Sequence, residues 1–162
     1  MRTFLRQPGQ TAFVVLLTLL LFSCKKSDEP TALGGDPALM ATWRVSAYAV
    51  KDANGVTSDL TPLVFAQFPC LSDIRVTFNA DGSITGSSTA ACSSVLGDAS
   101  ALVGGKGNWQ ASGGKLTINT ADGSKQEYTY QLTGTTLQLS QPTLDASGKP
   151  TGDVRQYTFT KA

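Results

Sequence analysis

The sequence has no histidine among its 162 residues, and only three cysteines and two methionines. Without histidine, neither a serine nor a cysteine nucleophile has its usual activating base. The commonest nitrogen ligand of zinc is missing as well, and the cysteines do not fall at zinc-binding spacings. No Gly-x-Ser-x-Gly, phosphate-binding loop or dense oxygen-ligand loop for calcium is present. Neither a catalytic residue nor a metal or other cofactor is therefore expected. Charge is also scarce, at 15% of residues, with thirteen basic and twelve acidic side chains and no basic patch. That balance excludes nucleic acid as a partner. No stretch holds a helical period, and the apolar run Thr11–Phe22 has 12 residues, short of the roughly 20 that a spanning helix needs.

That apolar run has its own meaning. Met1–Gln10 carries Arg2 and Arg6 and no acid, the run follows, and Ser23 and Cys24 end it before the polar Lys25-Lys26-Ser27-Asp28-Glu29-Pro30. A basic start, an apolar middle and a small residue before the cut read as a secretory signal over residues 1–23. Leu21-Phe22-Ser23-Cys24 resembles the lipobox of bacterial lipoproteins, although Phe22 is bulkier than the usual middle residue. The resemblance implies lipidation of Cys24. Each buried CH₂ adds roughly 0.8 kcal/mol to membrane binding, so two or three acyl chains hold a protein permanently. Lys25–Glu29 resembles the charged export signal of surface lipoproteins of Bacteroidetes, which implies the outer face of the outer membrane. The membrane, reached through the lipid, is the expected partner. Residues 24–37, rich in Pro, Gly and charge, read as a flexible tether. Residues 38–162 read as one domain, large enough for a single core.

With Cys24 lipidated, Cys70 and Cys92 remain as an even pair in an oxidising compartment, and a disulfide is expected between them. In the chain-entropy picture such a loop closure contributes roughly 3 kcal/mol.

Turn signals divide the domain into short segments of two-residue period. Thr42–Val50 alternates, with Trp43, Val45, Ala47 and Ala49 on one face. Residues 59–68 read as a short helix through Leu60, Leu63, Val64 and Phe68, able to close one barrel mouth as a lid or, preferably, as a plug finishing the core. Asp73–Asn79 alternates around Ile74, Val76 and Phe78, and Asn79-Ala80-Asp81-Gly82 forms a hairpin turn. Further strands are read at Ser83–Ser88, Lys106–Ala111, Lys115–Thr120, Ser124–Leu132 and Thr136–Gln141. Ala90–Gly105 and Pro142–Asp153 read as loops, and Tyr157 and Phe159 mark the last strand. Eight strands in series, each with one apolar and one polar face, suit an antiparallel up-and-down barrel, whose closure removes exposed edges. A two-sheet β-sandwich is the alternative.

The landmarks fall in a recognisable order. Trp43 opens a strand, and Cys70 precedes Ile74-Arg75-Val76-Thr77-Phe78-Asn79-Ala80-Asp81-Gly82. Cys92 comes next, then Gly107-Asn108-Trp109, Leu116-Thr117-Ile118, Tyr128-Thr129-Tyr130 and Tyr157-Thr158-Phe159. The series resembles the lipocalin-like domain of small Bacteroidetes lipoproteins, from roughly Ala41 to Ala162. The resemblance implies a β-barrel with Cys70 and Cys92 bonded, and no ligand residue is carried over from it.

The inward-facing aromatics, Trp43, Phe78, Trp109, Tyr128, Tyr130, Tyr157 and Phe159, read either as core or as the lining of a pocket for a small apolar ligand. The carboxylates of the domain are explained by turns and loops rather than by an acid–base pair. A lipid-anchored, non-enzymatic protein that binds a small apolar or amphiphilic ligand follows as the leading expectation. The alternative is a surface interaction module with a filled barrel, in an envelope complex or in glycan capture, that uses Ala90–Gly105 and Pro142–Asp153.

Overall fold

A computed structural model describes residues 35–87, Cys92, residues 107–121 and residues 123–162. The signal, the lipidation expected at Cys24, most of the tether, and all but Cys92 of the loop expected over Ala90–Gly105 lie outside the described residues.

Among the described residues the strands are β1 (Thr42–Lys51), β2 (Thr57–Asp59), β3 (Arg75–Phe78), β4 (Ser83–Ser87), β5 (Gly107–Ser112), β6 (Lys115–Thr120), β7 (Lys125–Thr133), β8 (Thr136–Leu144) and β9 (Pro150–Lys161), and α1 (Thr61–Gln67) is a short helix. Neighbours in the order β1-β3-β4-β5-β6-β7-β8-β9 pair antiparallel, and β9 pairs back onto β1. The sheet therefore closes into the expected eight-stranded barrel rather than splitting into a sandwich, and β2 is an extra strand outside the ring. Alternation supplies the core. Trp43, Val76, Phe78, Ile84, Trp109, Leu116, Ile118, Tyr128, Leu137, Leu139 and Phe159 are buried, and no polar or charged residue among those described is.

One edge of β1 bonds to β9 along nearly its whole length. The other edge is shared by three elements. β3 takes Thr42–Arg44, and β2 takes Ala49–Lys51. Between them the Val45 N–H donates to the Ile74 carbonyl, and the Tyr48 backbone bonds to the Thr61 hydroxyl and the Leu60 N–H. The start of α1 thus satisfies backbone groups that no strand covers, as buried backbone requires. This placement corrects the expectation of a mouth plug. No residue of α1 is fully buried, and Leu63 is 66% exposed.

Three further expectations are corrected. Ser46 forms a β-bulge between Val45 and Ala47, pairing Val45 with Phe159 but Tyr48 with Tyr157. A bulge adds one residue and so inverts every later face. Tyr48 and Val50, not Ala47 and Ala49, share the inner face with Tyr157. Second, Pro142–Asp153 is mostly ladder: β8 and β9 continue to the Leu144–Pro150 pair, and a tight turn joins them. There the Asp145 carboxylate accepts from the N–H groups of Ser147 and Lys149, a turn-stabilising arrangement the polar composition concealed. Third, β3 starts at Arg75, because Pro69–Asp73 forms a 3-10 turn that carries Cys70.

The hairpins β3–β4, β5–β6 and β7–β8 lie at one end of the barrel. A 3-10 turn over Pro37–Leu39 seals that end, with Leu39 fully buried and its carbonyl accepting from the Trp43 indole at 2.9 Å. Gly35 makes the entry possible: its φ is +79°, and a Cβ there would collide with the Ala111 backbone. The Asp36 carboxylate caps the turn at Ala38 N–H and accepts from the Tyr130 hydroxyl at 2.9 Å. Burial, the bond to Asp36 and the Asp36 charge all push the Tyr130 hydroxyl above its ordinary value of 10.0.

Tyr130→Phe removes this tie and is expected to cost about 1 kcal/mol, read as a lower urea midpoint. The pH dependence follows from the sign of the shift. A proton held more tightly in the folded chain stabilises it fully below the ordinary tyrosine range, and that stability is lost as pH rises through the raised folded value. Alkaline unfolding curves should therefore differ between the parent and Tyr130→Phe below pH 10 and converge above it.

Candidate functional site

The barrel interior changes character along its axis. At the sealed end Trp43, Trp109, Leu116, Leu137 and Phe159 fill the space. Toward the other end, strand pairing fixes which side chains face inward. Phe159 is buried, and alternation on β9 places Tyr157 and then Arg155 on the same inner face. Tyr157 pairs with Leu139 and Tyr48, and Arg155 pairs with Gln141 and Val50. Gln126, opposite the buried Ile118, faces inward from β7. Tyr48, Val50, Gln126, Gln141, Arg155 and Tyr157 are half-buried, in contrast to the sealed end.

Within this group the Tyr48 and Tyr157 rings lie 5.3 Å apart, tilted by 46°. The Gln141 side-chain N–H donates to Gln126 Oε1 at 2.7 Å. Gln141 Oε1 is sealed from solvent and has no hydrogen-bond partner among the described residues, and the Arg155 Nε is likewise sealed from solvent. Aromatic faces, an aliphatic side chain, two amides and a guanidinium thus converge on one stretch of inner wall. A site of that make-up can hold an apolar body and orient a polar head.

The residues singled out from the sequence divide between the two regions. Trp43, Phe78, Trp109 and Tyr128 are at most 2% exposed and pack in the core. Both indoles are engaged, Trp43 with the Leu39 carbonyl and Trp109 with the Asn79 carbonyl. Tyr130 is tied to Asp36 at the sealed end, and of the aromatics named from the sequence Tyr157 faces the polar region. Cys70 and Cys92 are bonded. Tyr48, Val50, Gln126, Gln141 and Arg155 were not legible as candidates. The bulge inverts the first two. Arg155 carried a usable signal, standing two residues before Tyr157 and four before Phe159 in strict alternation.

Three carboxylates are committed to local turn bonds. The Asp81 carboxylate accepts from the Ser83 hydroxyl and N–H, Asp145 from Ser147 and Lys149, and Asp59 from the Thr61 N–H. These bonds hold all three carboxyls below the ordinary value of 3.8, with the partners' side-chain bonds leading. Among the described residues no three metal-ligating side chains converge.

Comparison with known proteins gives one match. The sequence pattern of a family described as a lipocalin-like domain fits residues 39–139, more than half of the chain. No curated protein and no solved structure matches.

Proposed function

The chain belongs to the lipocalin-like domain family, and on that premise we propose that it is a non-enzymatic carrier or receptor of a small apolar or amphiphilic ligand. The ligand enters at the barrel end away from the Pro37–Leu39 seal and lies against Tyr48, Val50 and Tyr157. One observation carries this reading: away from the Pro37–Leu39 seal, the buried apolar packing of the interior gives way to half-buried aromatic and polar side chains facing inward. The signal-like N-terminus and Cys24 support attachment to the cell envelope through lipid, with the barrel held at the outer membrane.

Native mass spectrometry of the chain released from its membrane tests the reading. The expected spectrum contains a non-covalent adduct of one small molecule per chain. Tyr157→Ala should weaken that adduct several-fold while leaving the melting transition cooperative. A chain that stays bare after exposure to a total lipid extract would sink the proposal. A second reading, a surface interaction module, draws on Val56, Leu63 and Leu144. These are the exposed large apolar residues among those described, and all three stand in or beside β1–α1 and β8–β9 connections. It requires a protein partner recovered stoichiometrically after cross-linking.

A further inference from the structure

Trp43 and Val76 are buried inside the barrel, so alternation turns their neighbours Arg44 and Arg75 to its outer wall. The two arginines stand directly opposite each other in the β1–β3 ladder. There Cβ atoms lie about 5 Å apart, and like charges destabilise the pair. No carboxylate offsets the repulsion. Neither exposed Asp73, two residues before Arg75, nor the chain end at Ala162, which bonds to the Thr42 carbonyl, forms an ion pair with them. Nη1 of Arg75 donates to the Ser72 and Ile74 carbonyls at 3.2 and 3.3 Å, which holds that guanidinium against the 3-10 turn. The Arg44 side chain has no hydrogen-bond partner among the described residues. The neighbours on the same outer face are hydroxyls. Ser87 is opposite Arg75, and the next row holds Thr42, Thr77 and Thr85, the first two bonded to each other at 2.8 Å.

We propose that Arg44 and Arg75 clamp the carboxylates of an acidic polysaccharide, with the hydroxyl row bonding to its sugar hydroxyls. The guanidinium fork matches the two oxygens of a carboxylate bidentately, and a bound anion relieves the repulsion between the arginines. Other anionic partners fit less well. Two cations fall short of the several phosphate contacts that nucleic-acid binding needs. A peptide strand has no edge to join, because β1 and β3 are paired on both sides here. A bilayer surface calls for apolar residues beside the cations, and the exposed Val56, Leu63 and Leu144 stand outside β1, β3 and β4. The site lies on the outer wall and is independent of any ligand inside the barrel.

The test titrates the full chain, in neutral detergent at about 0.15 M salt, with fluorescent polygalacturonate and with the same polymer fully methyl-esterified. The acid polymer is expected to half-saturate the chain at a concentration about tenfold below the ester, the scale of one charge-assisted hydrogen bond. Arg44→Gln and Arg75→Gln should each raise that concentration about tenfold. Lys149→Gln, which removes an exposed cation on the β8–β9 turn, should leave it unchanged. Arg44→Lys keeps the charge but loses the planar fork; it should weaken binding several-fold, and it decides the matter if the glutamine variants do not fold. Equal binding of the two polymers, or binding indifferent to the arginine substitutions, overturns the proposal. So does an equal loss in Lys149→Gln, which would make the attraction one of overall charge. Displacement of the polymer by inorganic phosphate at equal anion concentration would reduce the site to one for a lone anion and overturn the polysaccharide.

Discussion

Trp109→Ala is expected to cost about 3–5 kcal/mol, a large part of the roughly 5–15 kcal/mol that holds a domain folded. Trp109 is fully buried, and its indole N–H donates to the Asn79 carbonyl at 3.1 Å. The ring meets Phe78 edge-on at a centroid distance of 5.2 Å, and its backbone N–H donates to the Gly82 carbonyl. All of these tie β5 to the β3–β4 hairpin. Among the described residues the ladder between β4 and β5 pairs Ser83 with Asn108 and Ile84 with Gly107. The ring therefore adds a hydrogen bond and ring packing to the backbone pairing at that seam. Its removal leaves a large void, and the Asn79 carbonyl loses a donor. Urea unfolding should show a much lower midpoint. Trp109→Phe, which keeps most of the volume, should lose far less. A Trp109→Ala protein within 1 kcal/mol of the parent would show that the ring is not core.

Loss of the disulfide comes second in size. Cys70 lies in the 3-10 turn leading into β3, and Cys92 is fully buried in the link between β4 and β5. The bond spans a sequence separation of 22. Closing a loop of that length removes chain entropy worth about 3 kcal/mol from the unfolded ensemble. Reduction should therefore lower the melting temperature by about 10 °C. A chain with serine at both positions should melt at the reduced value and ignore reductant. No shift on reduction would mean that the unfolded chain gains nothing from losing the bond.

Much of this barrel was legible because its strands obey a simple period. Ile74, Val76 and Phe78 alternate against polar neighbours, as do Trp109, Leu116 and Ile118, and turns such as Asn79–Gly82 mark where the chain reverses. Errors arose where a local feature breaks that rule. Ser46 adds one residue to β1, and its hydroxyl bonds to the Thr158 carbonyl instead of signalling a bulge in composition. Pro142 to Asp153 is polar because both strands there run beyond the core, so composition imitates a loop while the hydrogen bonds still form a ladder. Residues 59–68 carry enough apolar side chains for a plug, yet Thr61 and Leu60 spend their polar groups on the uncovered edge of β1. The candidate site was the least legible part. Its polar members, Gln126, Gln141 and Arg155, continue the inward alternation of Tyr128, Leu139 and Tyr157, but their polar side chains read as solvent-facing strand ends.

The most direct measurement is a high-resolution crystal structure of the chain isolated from its native source, examined between Tyr48, Gln141, Arg155 and Tyr157. The expected result is a bound molecule there, or a connected cavity of about 300 Å³ or more opening away from the Pro37–Leu39 seal, with the Trp43–Trp109 end closed. An interior filled by side chains from rim to rim would contradict ligand binding in the barrel and leave its outer surface as the place of function.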